Sequence, residues 1–236
     1  MIKDLSRRRF LEVAAGALAA PLRWRGLESV PAMFDHMLLG IGDLDRGIAF
    51  MEELTGVKAV FGGVHPGRGT RNALLSLGTQ RYLEIIAPDP KQTVAPMFPD
   101  LPQMREPRLL GWAAHTDEID GLAKKISAAG FAIQGPADGS RARPDGKMLR
   151  WKSFRLEDDQ RGLLPFFIEW SRDSVHPSVD APGGCRLIQF SAASPEPTVL
   201  AAAYSRLGVA VGVEHGEEIQ LRAKIAVPKG EIELTS

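Results

Sequence analysis

Two apolar segments of this chain each carry one carboxylate among hydrocarbon side chains. Glu84 lies in Arg81-Tyr82-Leu83-Glu84-Ile85-Ile86-Ala87-Pro88, and Glu169 lies in Pro165-Phe166-Phe167-Ile168-Glu169-Trp170. Both segments have the length and composition of buried strands, and a carboxylate in such a strand is costly to bury without a partner. A divalent cation is a natural partner for two acids placed symmetrically, because hard cations take oxygen ligands. The pair therefore predicts a metal pocket between two similar halves of the molecule.

Other side chains would equip such a pocket for an oxygen-rich substrate. His65, Arg71 and Asn72 flank the turn-rich His65-Pro66-Gly67-Arg68-Gly69. Facing inward they would orient a ligand, and facing outward they would be the turn chemistry of an exposed loop. Arg141, Arg143 and Arg150 could clamp a carboxylate or phosphate at the mouth, although the first two also fit a solvated loop. Trp112, Trp151 and Trp170 read as core or pocket wall. The single cysteine, Cys185, excludes an intramolecular disulfide and a Cys-based zinc site, and it has no basic neighbour in sequence to activate it. No Gly-x-Ser-x-Gly, P-loop or dinucleotide fingerprint is present.

The elements that must position these groups repeat. His36 to Ile41 is a strand-length apolar run, Asp43 can cap a helix whose stripe is Leu44, Ile48 and Met51, and strands follow at Ala73–Leu77 and Tyr82–Ile86. This is a βαβββ unit. A second unit aligns on its helix, where Ile119-Asp120 matches Leu44-Asp45 at an offset of 75 and Ile119, Leu122, Ile126 and Ala129 form the stripe. Glu169 follows Glu84 by 85 residues, so about ten are inserted, and the polar run Pro136 to Gly146 is expected to be a long loop at the pocket mouth. A third, shorter unit runs from Arg186, with Leu200, Tyr204 and Leu207 as its helical stripe and three short strands after Val209. Its acids Glu231 and Glu233 alternate with apolar residues and should face water, so this unit reads as structural cover for a sheet edge.

The chain has 236 residues, with 29 basic and 29 acidic side chains. That length supports a substantial core, and the charge balance argues against nucleic-acid binding, which needs a basic surface. Ser6-Arg7-Arg8-Arg9-Phe10-Leu11, the weakly apolar stretch Val13 to Ala20 and the small-residue pattern Ala17-Leu18-Ala19 resemble a twin-arginine export signal, with Glu12 where a basic residue is usual. That resemblance implies a periplasmic or secreted protein. The alternative is a basic amphipathic helix at the start of a cytoplasmic protein. No run approaches the eighteen apolar residues of a membrane-spanning helix.

Taken together, the paired units, the His on an opening strand and the Glu on a closing strand resemble the vicinal oxygen chelate superfamily. Within it the chain resembles the glyoxalase-like domain family, through Gly63-Val64-His65-Pro66-Gly67-Arg68-Gly69-Thr70-Arg71-Asn72-Ala73, Tyr82 to Pro90, Arg143-Pro144-Asp145-Gly146, Leu164 to Trp170 and His176-Pro177-Ser178. The resemblance implies an α+β fold in which repeated βαβββ modules form curved mixed sheets around a central pocket, spanning residues 31–180, with the third module over residues 181–236. It also implies a divalent metal (Zn, Mn, Fe or Mg) held by His36, Glu84 and Glu169, with a lyase or isomerase reaction in which Glu84 or Glu169 leaves the metal to act as base.

The fourth ligand position falls on Gly111, which has no donor. His115, on the same strand face by period two, would point into the pocket too far along to replace it. Without a metal, His36 would instead be a hydrogen-bonded histidine facing Glu84 across a cavity that binds or sequesters a small molecule. Pairing of modules within one chain or between two chains, as a homodimer, is open at this stage.

Overall fold

The computed structural model describes residues 30–236, and the export signal expected at Ser6 to Ala20 lies outside them. The first unit is β1 (Phe34–Gly40), α1 (Leu44–Thr55), β2 (Val60–His65), β3 (Thr70–Gly78) and β4 (Arg81–Pro88). Its helix is bounded as the residue types require. The Asp43 carboxylate accepts the Arg46 backbone N–H at 2.9 Å, and Gly56 ends the helix in the left-handed conformation at φ 72°.

The second unit is β5 (Arg108–His115), α2 (Ile119–Ala128), β6 (Ile133–Ala142), β7 (Met148–Leu156) and β8 (Phe166–Trp170). The polar insert expected as a long loop is mostly strand: β6 runs to Ala142 and pairs antiparallel with β7, leaving a tight turn at 143–147. Its polar sequence reflects a place at the end of a sheet, where much of the strand meets water.

Both units join one eight-stranded sheet in the order β2-β3-β4-β1-β5-β8-β7-β6. Within each unit the opening strand lies parallel to the closing strand, and the two opening strands pair antiparallel at the centre. There His36 faces Ala113 and Leu38 faces Gly111, so the offset of 75 read from the helices is also the symmetry of the central pair. The modules therefore pair within one chain. The sheet curls until its end strands nearly meet. The Arg141 guanidinium on β6 donates to the Gly62 carbonyl on β2, and a Cβ on Gly63 would lie 2.7 Å from the Ala142 carbonyl oxygen.

The third unit comprises β9 (Arg186–Ser194), α3 (Pro197–Leu207), β10 (Gly212–His215), β11 (Gln220–Val227) and β12 (Gly230–Thr235). Its element order matches expectation, but its sheet order is β10-β9-β11-β12, with the opening strand parallel to the first strand after the helix rather than to the last. Glu231 and Glu233 are exposed, as the alternation requires. The unit covers a face rather than an edge. Phe190 packs on Phe34 and Trp112 at ring-centroid distances of 4.9 and 5.1 Å, behind the central strands. The Trp112 indole N–H and the Tyr204 hydroxyl both donate to the Leu163 carbonyl at 2.8 Å.

Met37, Leu39, Met51, Leu83, Ile126, Phe167, Phe190, Leu200 and Leu221 belong to one core on this convex side. The concave side carries only small clusters, around Leu38, Ile86 and Leu101 and around Leu74, Tyr82 and Ala181, and is left as a cavity. Among the described residues no helix is long and apolar enough to cross a membrane. Because Phe190 joins the two sheets, Phe190→Ala should cost about 3–5 kcal/mol. A urea midpoint unchanged from wild type would show that this contact does not hold the third unit in place.

Candidate functional site

The site begins with an irregularity in β1. Phe34 faces Ala114 and His36 faces Ala113 on β5, so Asp35 is the extra residue of a β-bulge. The bulge breaks strict alternation, and the two neighbours come together on the concave side with Asp35 Oδ1 2.6 Å from His36 Nδ1. The other Asp35 oxygen accepts the Trp170 indole N–H at 3.0 Å and meets His176 Nε2 at 3.3 Å. His176 Nδ1 accepts the Ser178 backbone N–H, so the proton of that ring resides on Nε2 and points at Asp35.

Burial alone would raise the Asp35 pKa, but the hydrogen bonds and charge of His176 and His36 outweigh it and hold the carboxyl far below the usual range. An ionised carboxylate only accepts, so His36 Nδ1 carries a proton and its Nε2 is the nitrogen presented to the cavity. The His36 ring is stacked on Tyr82 at 4.4 Å and met edge-on by Phe166 at 5.4 Å, which fixes its plane.

Glu84, on β4, faces this nitrogen. Its Oε2 lies 3.7 Å from His36 Nε2, and its Oε1 accepts the Asn72 side-chain N–H at 2.9 Å and lies 3.4 Å from His65 Nε2. Burial works against the Glu84 charge, yet His65, His36, Asn72 and Arg141 together keep its pKa below normal. Desolvation pulls His65 toward its neutral form, with Glu84 opposing and Arg141 and Arg68 assisting. The two partners draw on the same interaction, and the arrangement consistent with the amide contacts is an ionised Glu84 beside a neutral His65. In that state the His65 Nδ1 proton is directed at Thr70 Oγ1, 2.9 Å away. Tyr82 is kept as the neutral phenol by burial and by the nearby Glu84 and Asp35 charges. The Asn72 carbonyl oxygen is buried without a partner among the described residues, fixed in that orientation because the amide N–H is committed to Glu84.

His36, His65, Tyr82 and Glu84 form the polar floor of a cavity of about 470 Å³ on the concave face, with Asp35 and Asn72 held against them from behind. Leu38, Ile86, Phe98, Leu110, Phe154 and Phe166 supply apolar lining. Arg68 and Arg155 also line it. The residues that sequence reasoning passed over, Asp35 above all, are those whose role depends on the bulge. The adjacent pair Asp35-His36 inside an apolar run was the available signal.

Glu169 does not reach this floor. In the central symmetry, Leu38 faces Glu84 across β1 and β4, and its counterpart Ala113 faces Phe166 across β5 and β8. The structural counterpart of Glu84 is thus Phe166, and Glu169, three residues later, projects from the other face of the strand. There its carboxylate accepts the Ile119 backbone N–H at 2.7 Å and caps α2. Both second-unit positions that would carry ligands are Gly111 and Phe166, without donor atoms.

Among the described residues no group of three or more His, Cys, Asp and Glu side chains is arranged to hold a metal ion. Glu84 is already bound to Asn72, and His65 faces that amide as well. With Glu169 turned to the other face of β8, the expected set of His36, Glu84 and Glu169 does not converge on one ion. The other expected ligand-binding residues divide. His65 and Asn72 are in the site. Arg71 alternates to the opposite side of β3 and does not line the cavity. His115 lies 3.8 Å from Asp35 Oδ2 but points outward to Asp117, and Arg150 is exposed and paired with Asp173.

A family model described as a glyoxalase-like domain matches residues 34–208. The chain belongs to the glyoxalase-like domain family. A crystal structure of a hypothetical protein from Staphylococcus aureus is similar to this glyoxalase-like protein at 18% identity and TM-score 0.60, covering 86% of this chain and 84% of that one. Methylmalonyl-CoA epimerase from Mycobacterium tuberculosis is also similar, at 17% identity and TM-score 0.43 over 60% of this chain and 89% of that one. No protein of curated function matches the sequence. The curled sheet of paired modules is the vicinal oxygen chelate fold.

The depressed pKa of Asp35 has a definite sign in stability. Its contribution is complete above the unfolded value of about 3.9 and is lost as pH falls from there toward the folded value. Asp35→Asn should cost about 1–3 kcal/mol at neutral pH. The gap between variant and wild type should narrow below about pH 4. A gap that is the same at pH 7 and pH 3 in urea titrations would contradict a buried, ionised Asp35.

Proposed function

We propose that this glyoxalase-like protein binds a small oxygen-bearing organic molecule in the concave cavity without a divalent ion, and that His36 and Glu84 exchange a proton with it. The observation that carries this reading is the opposition of His36 Nε2 and the Glu84 carboxylate across 3.7 Å, with Gly111 and Phe166 at the positions a metal would need. Asp35 fixes the His36 tautomer, as the orienting carboxylate of a general acid–base pair must. A proton taken from carbon or oxygen of the ligand by one of these two bases, passed across the 3.7 Å to the other and returned at a second position is isomerase chemistry. Loss of a leaving group after the first transfer is lyase chemistry. Sequestration without reaction is the limiting case in which the same hydrogen bonds hold the ligand.

Ligand binding should survive exhaustive treatment with EDTA, and Glu84→Gln should weaken it about tenfold or more by replacing a charge-assisted acceptor. Glu169→Gln, outside the cavity, should leave affinity unchanged and lower stability by about 1 kcal/mol through the α2 cap. Calorimetric titrations of metal-stripped and Zn²⁺- or Mn²⁺-supplemented protein decide the matter, and binding that appears only with added metal would refute the metal-independent reading.

We also propose export by the twin-arginine route, supported by Ser6-Arg7-Arg8-Arg9-Phe10-Leu11 and the following Ala-rich stretch. Export predicts a mature N-terminus near Ala20 in the cell envelope fraction. Recovery of full-length chain solely in the cytoplasm of its host would overturn it.

A further inference from the structure

At the rim of the cavity two cations share one weak acceptor. Arg68, in the turn between β2 and β3, and Arg155, on β7, come from different modules, and both line the cavity. Arg155 Nη2 lies 2.8 Å from the Met97 sulfur and Arg68 Nη1 lies 3.9 Å from the same atom. Neither guanidinium forms an ion pair with a carboxylate among the described residues, and Asp159, whose charge acts on Arg155, uses one oxygen to accept the Gly162 backbone N–H.

A thioether is a poor acceptor for a guanidinium, whereas a carboxylate or phosphate takes two parallel N–H bonds from one. Burial and the nearby Arg68 both lower the affinity of Arg155 for its proton. The backbone beneath is fixed, since Met97 N–H donates to the Arg68 carbonyl at 3.2 Å and the Gln92 side-chain oxygen accepts from Gly67 and Gly69. The Met97 side chain, flexible about three bonds, is the part free to move.

We infer that Arg68 and Arg155 clamp the anionic end of the ligand, a carboxylate or phosphate whose oxygens displace the Met97 thioether. The inference rests on the cavity being the ligand site proposed above and assigns the ligand a direction. Glu84 is ionised and repels a second anion, so the acidic end lies at the rim, a neutral hydroxyl or carbonyl lies at the floor against His36 and Glu84, and the apolar middle lies along Phe98 and Phe166. The substrate class is an organic acid with a hydrocarbon body and a separate neutral oxygen function.

The test uses the full chain and a matched panel of hydroxyaryl-alkanoic acids, the corresponding alkyl phosphates and the uncharged primary amides of the acids, with affinities measured by calorimetry. Acids or phosphates should bind at least about tenfold more tightly than the amides, and Arg68→Gln and Arg155→Gln should each remove that preference by lowering acid and phosphate affinity about tenfold or more. Whether acids or phosphates lead identifies the anion. Met97→Leu, which keeps bulk but removes the sulfur, should retain the preference.

A panel in which no anion binds, or in which acid and amide bind alike, overturns the clamp. So does a preference that survives in both Arg variants. Glu84→Gln separates the two proposals. Anion preference lost with Arg68→Gln and Arg155→Gln but affinity indifferent to Glu84→Gln sinks the floor chemistry and keeps the clamp, and the reverse pattern sinks the clamp alone. Thermal midpoints of each variant without ligand exclude unfolding as the cause.

Discussion

A carboxylate that is only 1% exposed must find its hydrogen-bond donors inside the protein, and Asp35 finds them where three segments meet. His36 is its neighbour on β1, Trp170 closes β8, and His176 stands in the segment that leads to the third unit. The first module, the second module and the passage to the third are thereby tied to one negative charge. The tie also has a chemical result. Because Asp35 takes the proton on His36 Nδ1, the other nitrogen faces Glu84. The orientation of that imidazole is a property of the fold, held by backbone geometry and two rings that stack or meet it edge-on.

Much of this was legible in the residue pattern, and the parts that were not share a cause. The helices could be read because their caps and stripes are local, and the offset of 75 could be read because it was taken from them. The offset of 85 between the acids could not hold, since sequence distance across an insertion does not fix strand register, and a shift of three residues turns a side chain to the other face. His65 lines the cavity and Asn72 reaches Glu84 beside it, whereas Arg71, adjacent to Asn72 on β3, alternates to the other face. Asp35 was hidden by its own bulge. Alternation assigns adjacent residues to opposite faces, and only the pairing with β5 reveals that Asp35 and His36 share one. The insert was misread because an end strand facing water has the composition of a loop.

The fold is symmetric about β1 and β5, but the cavity is not. The first module brings His36, His65, Asn72, Tyr82 and Glu84, while the equivalent places in the second present Gly111 and Phe166. A symmetric pocket suits an ion that every strand can touch equally. A pocket with a polar floor, apolar lining above it and cations at its rim suits an elongated molecule with unlike ends, and it discriminates by orientation as well as by size.

Beyond the sheet lies a second, shallower hollow of about 280 Å³, formed by Val60, Phe61, Leu149, Val175 and Pro177. Arg141 borders both this hollow and the main cavity. The guanidinium that fastens the end strands through the Gly62 carbonyl is therefore also the partition between two spaces.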